Sequence, residues 1–121
     1  MAPLVHGIAL VYLYVTDVRR AMSFYSDAFD LTFIAYGDDW AECTLGDGTR
    51  FALHLTTGPD REPQTPGTTI VDFLADDLQM LRARLVSLGA TTGEIGEAPT
   101  GRFFQFTDPD GYRIQVFQPT H

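Results

Sequence analysis

The sequence contains one cysteine, Cys43, so it can form no internal disulfide, no Cys-x-x-Cys pair and no Cys/His cluster of the kind that holds structural zinc. A reducing compartment suits such a chain, and a cytoplasmic location is expected. Basic residues are scarce as well: eight stand against sixteen acidic ones, a formal charge of −8. That balance repels phosphate backbones and anionic bilayers, so neither nucleic acid nor membrane is expected as a partner, and a cationic or neutral small molecule is. Long apolar runs are missing. The run from Ile8 to Val15 is far short of the roughly 20 residues a spanning helix needs, and no basic segment precedes it as in a secretory signal, so it reads as a buried strand. There is no P-loop, no dinucleotide fingerprint and no Ser-His-Asp order. The glycines of Gly46-Asp47-Gly48 belong to a hairpin turn, not to a strand-to-helix junction.

What the chain does have is an internal repeat. LYVTDVRRAMSFYSDAF, from Leu13, is echoed sixty positions later by FLADDLQMLRARLVSLG, from Phe73. In each, an apolar strand ends at an aspartate, Asp17 or Asp77, that can accept from the first free amides of a helix. Val18, Ala21, Met22, Tyr25 and Phe29 then recur at helical spacing, as do Leu78, Leu81, Leu85 and Leu88, with Gly89 placed to end the second helix. Further on, Leu45 to Leu55 parallels Thr107 to Phe117, each an Asp-Gly turn feeding a strand. Leu31 to Tyr36 and Trp40 to Leu45 complete the first half, and Ala90 to Ile95 and Phe103 to Phe106 the second. The predicted fold is therefore α+β: two tandem βαβββ modules forming a curved eight-stranded mixed sheet, with both helices on its outer face. One domain spans residues 1–121, with modules at 7–55 and 68–118 and a Pro- and Gly-rich linker at 56–67.

Alternation assigns the faces, because residues i and i+2 of a strand share one. Val11, Leu13 and Val15, Ala41, Cys43 and Leu45, Phe51, Leu53 and Leu55, Val71, Phe73 and Ala75, and Ile114 and Val116 are uniformly small or apolar and belong under the helices. The opposite parity is mixed and aromatic, as a ligand site with a few polar groups among apolar ones requires. It supplies Tyr12, Tyr14, Trp40, Phe103 and Phe117 as ring surfaces for a planar or cationic ligand. It also supplies Glu42, His54, Asp72, Arg113 and Gln115. Glu42 and Asp72 either pair with Arg50 and Arg113 or recognise an amine on the ligand. His54 reads as a structural histidine, a ligand contact or an acid/base group, and Glu42, His54 and Asp72 together as a displaced metal set. Cys43 reads as an inert buried thiol. His6 and His121 lie near the termini and read as partly exposed.

The opening V-x-D-helix-FY pattern, here Val15-Thr16-Asp17 with Phe24-Tyr25, and the closing F-x-D-P-D-G-x-x-I, Phe106 to Ile114, resemble those of the vicinal oxygen chelate superfamily. That family includes glyoxalases, extradiol dioxygenases, fosfomycin-resistance transferases and bleomycin-binding proteins. The resemblance covers residues 7–118 and is specific for the fold rather than for the function. It implies a homodimer, and a divalent metal in the metal-using members. Their four ligand positions fall here on Leu10, Ala52, Ile70 and Gln115, so no metal and no other cofactor is expected, and Gln115 is left to orient a ligand as a neutral donor and acceptor. In character the chain is similar to the metal-free bleomycin-resistance-like branch. The expected function is sequestration of an antibiotic or natural product. The alternative is a metal-independent isomerase or cyclase of a biosynthetic pathway, with His54 as proton carrier and Asp72 or Glu42 setting its pKa. A metal-dependent glyoxalase or dioxygenase is the least favoured reading.

Overall fold

The computed structural model describes residues 3–4, 8–56 and 70–120. His6, His121 and all of the predicted linker but Thr56 lie outside the described residues. Two compact units emerge, residues 1–26 with 30–63, and residues 27–29 with 64–121.

The first unit runs β1 (Leu10–Val15), α1 (Val18–Phe29), β2 (Ile34–Tyr36), β3 (Trp40–Thr44) and β4 (Arg50–Leu55). Its sheet has the order β1-β4-β3-β2, with β1 parallel to β4 and the remaining pairs antiparallel. Such a parallel pair needs a crossover connection, and α1 lies within it. Asp17 starts the helix as predicted, its Oδ1 accepting from the Arg20 amide at 3.0 Å. The buried helical positions Val18, Ala21, Tyr25 and Ala28 recur at helical spacing, and the Tyr25 ring stands 5.2 Å from Phe51 of β4. At the far end Asp30 takes a left-handed φ of 61° and bonds back to the Ser26 carbonyl. Residues 31–33 then carry the chain to β2, which is shorter than the Leu31 to Tyr36 expected because its pairing with β3 extends only over Ile34 to Tyr36.

The second unit repeats the plan: β5 (Val71–Leu74), α2 (Leu78–Ser87), β6 (Thr91–Thr92), β7 (Gly96–Ala98), β8 (Gly101–Thr107) and β9 (Arg113–Pro119). The order β5-β9-β8-β6, with β5 parallel to β9, matches the first sheet position for position. Asp77 caps α2 through the Met80 amide at 3.1 Å, as Asp17 caps α1. Leu78 and Leu85 are fully buried on the helix, as are Phe104 and Val116 on the sheet. Hydrogen bonding thus divides the strands into a four-stranded and a five-stranded sheet. The extra strand arises because the run from Ala90 to Ile95 does not pair continuously. From Thr92 to Gly96 the chain advances four residues while its partner moves three, from Phe106 to Phe103. One residue too many on one side is a β-bulge, and it splits β6 from β7.

Both Asp-Gly turns form as the repeat predicts. Gly48 and Gly111 take φ of 91° and 88°, a region other residues enter only with strain. Asp108 is buried, its Oδ1 accepting from the amides of Asp110 and Tyr112 at 2.9 Å each, which fixes the turn into β9. Replacing either helix cap, Asp17 or Asp77, with alanine is expected to cost about 1 kcal/mol. The check is a lower midpoint of urea unfolding at unchanged slope.

Candidate functional site

Strand parity comes out as the alternation predicts in the middle of the strands, while Val11, Leu45, Leu55, Val71 and Ala75, at or near strand ends, are only half-buried. On the first sheet Leu13, Val15, Ala41, Cys43, Phe51 and Leu53 are buried, the side that carries Phe51 against Tyr25 of the helix. The other side carries Leu10, Tyr12 and Tyr14 beside Arg50, Ala52 and His54, and these beside Thr44, Glu42 and Trp40. Its rings gather into one cluster. Trp40 lies 5.1 Å from His54 and 5.6 Å from Tyr12, Tyr14 lies 5.4 Å from both Tyr12 and His54, and Tyr12 lies 6.0 Å from His54. The mutual angles run from tilted to perpendicular, the arrangement aromatic quadrupoles prefer. Among the described residues of this unit the one helix, α1, lies on the opposite side against Phe51, and Tyr12 remains 44% exposed.

Glu42 is the polar hinge of this cluster. Its Oε2 accepts from Trp40 Nε1 at 3.0 Å and its Oε1 pairs with Arg50 Nη1 at 3.4 Å. The arginine is half exposed, so the ion pair itself adds no more than about 1 kcal/mol, but it occupies the second carboxylate oxygen. Both oxygens are therefore used inside the sheet, and Glu42 orients the indole. His54 uses Nδ1 against the Leu55 carbonyl at 3.0 Å, which assigns the proton to Nδ1 in the neutral ring and leaves Nε2 as an acceptor. The hydrogen-bond partners of the Glu42 carboxylate are Trp40 and Arg50.

On the second sheet Phe104, Phe106, Ile114 and Val116 are buried, and Phe103, Gln105, Gln115, Phe117 and Asp72 share the opposite side. Gln105 Nε2 donates to Gln115 Oε1 at 3.0 Å, and Gln115 Nε2 donates to Asp72 Oδ2 at 2.9 Å. Asp72 thus takes its hydrogen bond from Gln115. Arg113 stands exposed at the start of β9, opposite Thr107. Nothing in the sequence marks Gln105, although it lies two residues beyond Phe103 and so on the same face. The same holds for Gln118, whose Oε1 accepts from the Leu78 amide at 2.8 Å and closes the start of α2.

The positions that the resemblance assigns to metal ligands do not fit an ion. Leu10 and Ile70 are aliphatic, and Ala52, fully buried, sits between the register positions of Tyr12 and Glu42. None offers a lone pair, and both ends of the Gln115 amide are engaged by neighbours. The displaced set Glu42, His54 and Asp72 is not assembled either: among the described residues no three His, Cys, Asp or Glu side chains are grouped to hold a metal. Cys43 is buried on the helix side, and burial pushes its thiol above the ordinary range, with a smaller push from Glu42 against a lowering hydrogen bond at Phe51. It stays protonated at neutral pH and is a poor nucleophile. No helix among the described residues is long and apolar enough to cross a membrane.

Comparison with known proteins places this geometry among relatives. The chain is 30% identical to the metallothiol transferase FosB of Shouchella clausii, over 97% of its own length and 83% of the relative's. The antibiotic binding protein TnmS3 from Streptomyces sp. CB03234 superposes with a TM-score of 0.79 at 25% identity, covering 98% of this chain and 100% of the other. A possible glyoxalase from Bacillus cereus gives 0.75 at 27% identity, over 93% and 99%. A sequence model of one family matches residues 7–116, nearly the whole of both βαβββ repeats, and the chain accordingly belongs to the Glyoxalase/Bleomycin resistance protein/Dioxygenase superfamily.

Proposed function

We propose that this chain binds an antibiotic or natural product of planar or cationic character and confers resistance by holding it, without a metal and without changing it, as a homodimer in the cytoplasm. The observation that carries the reading is the cluster of Tyr12, Tyr14, Trp40 and His54 on a sheet face its own helix leaves open. Sequestration needs affinity alone, and rigid rings give contact area at little cost in ordering. The likeness to TnmS3, named as an antibiotic binding protein, supports it over the full length of both chains. The aliphatic residues at three of the four family ligand positions support the metal-free part.

Trp40 is the single tryptophan, so its fluorescence reports on this face alone. Titration with a panel of planar and cationic antibiotics, bleomycin included, is expected to quench it saturably for at least one compound, and expression is expected to protect sensitive cells against that compound. A silent panel with no protection would overturn the reading.

The bond from His54 Nδ1 to the Leu55 carbonyl favours a second reading, because it leaves Nε2 as an available base. Here the chain is an isomerase or cyclase. Native mass spectrometry of the co-purified small molecule separates the two: one intact compound supports holding, and two interconverted species, collapsing to one in His54→Ala, support turnover.

A further inference from the structure

The second sheet carries a directional hydrogen-bond chain whose sense is set by one charge. Gln105 Nε2 donates to Gln115 Oε1, and Gln115 Nε2 to Asp72 Oδ2, across β8, β9 and β5. A carboxamide has nearly the same shape when flipped, so its direction must come from its partners. Asp72 supplies it. An ionised carboxylate only accepts, so Gln115 must turn its NH2 group toward Asp72. Its oxygen then faces β8, and Gln105 must answer with its own NH2 group. The far end of the chain is Gln105 Oε1, for which no hydrogen-bond partner is found among the described residues. Head-to-tail amides polarise one another, which makes this oxygen a stronger acceptor than an isolated amide. Gln105 is half-buried, and so are Phe103 and Phe117, which are register partners one step along the same face.

We propose that Gln105 is a specificity-determining residue of a small-molecule site on this face of the second sheet: locked by Gln115 and Asp72, it presents an acceptor and selects planar ligands that carry an N–H or O–H donor beside the ring held by Phe103 and Phe117. The proposal rests on the small-molecule reading above and narrows it to a class of ligand. Asp72 acts through the chain as a positioning residue. A ligand with an acceptor or an alkylated heteroatom at that point meets an oxygen it cannot pair with, and desolvates it without return.

The test uses two neutral coumarins of the same shape, 7-amino-4-methylcoumarin with an N–H donor and 7-dimethylamino-4-methylcoumarin without one, followed by their own fluorescence anisotropy on the full chain. The wild type is expected to prefer the amino compound by about fivefold or more, the worth of one net hydrogen bond. In Gln105→Met the preference is expected to fall below about twofold, with the dimethylamino compound bound as before. Asp72→Asn, at an exposed position, is expected to reduce the preference in the same way, since a neutral amide no longer dictates direction, and Asp72→Glu to restore it. Equal affinities in the wild type, or a preference unchanged by both Gln105→Met and Asp72→Asn, would overturn the role of Gln105 and leave sequestration standing. Failure of both coumarins to bind also overturns it, and the sequestration reading falls with it only if the antibiotic panel is silent as well.

Discussion

A single methyl group added at Gly101 is expected to lower folding stability by about 3 kcal/mol, at the upper end of what overpacking a core costs. Gly101 opens β8 directly opposite Pro119 of β9. A Cβ at that point would fall inside contact with the Gln118 carbonyl oxygen, 2.7 Å from Phe117 Cζ and 2.8 Å from Pro119 Cα. Two of these atoms are backbone. They belong to the stretch of β9 that pairs with β8 itself, just past the last β5 partner at Phe117, so β9 cannot withdraw there without opening the β8 ladder. Gly96 makes the contrast. The three atoms nearest its Cβ would all belong to the Phe103 ring, at 3.0 Å to Cζ, and a ring can rotate away. Gly96→Ala is therefore expected to cost less than about 1 kcal/mol while displacing Phe103 on the open face. Urea unfolding of the two variants decides it. A midpoint for Gly101→Ala no lower than that for Gly96→Ala would show that β9 yields where its ladder with β8 should hold it.

The features legible in the sequence are those carried by short-range chemistry. Asp17 and Asp77 stand directly before their helices, so the cap and its target are three residues apart, and a repeat that shows both confirms each. Alternation fixed the side on which Tyr12, Trp40, Glu42 and His54 stand, because a slip of one residue would have buried Arg50 and exposed Phe51. What stayed hidden depends on partners remote in the chain. The bulge between β6 and β7 is a mismatch between two strands, visible only when the register with β8 is known. Gln118 reaches the Leu78 amide across forty positions. Gln105 shared its parity with Phe103, but a glutamine in a strand carries no signal until Gln115 and Asp72 are seen to hold it. The displaced metal set failed for the same reason: parity gives the side of its own strand on which each residue stands, while coordination needs distances that no spacing along one strand supplies.

Trp40→Ala is expected to weaken binding of whichever panel compound quenches Trp40 most strongly by about thirtyfold or more, the loss typical of a central aromatic anchor. Three contacts go at once: the ring at 5.1 Å from His54, the ring at 5.6 Å from Tyr12, and the Nε1 bond to Glu42. Removing the last leaves Glu42 with Arg50 alone, so part of the loss belongs to a freed carboxylate rather than to missing ring area. Trp40→Phe separates the two, since it keeps a six-membered ring to stack against Tyr12 and His54 while removing the N–H together with the pyrrole half of the indole. It is expected to bind within about fivefold of the wild type, as one neutral hydrogen bond to a charged acceptor on a half-open face would allow. Equilibrium dialysis must replace fluorescence for these variants, because the only tryptophan is the one removed. Should phenylalanine cost as much as alanine, the indole N–H and the Glu42 carboxylate would be the binding element and the rings merely their support. Should alanine cost nothing, the ligand lies elsewhere and the exposed rings of the first sheet need another occupant.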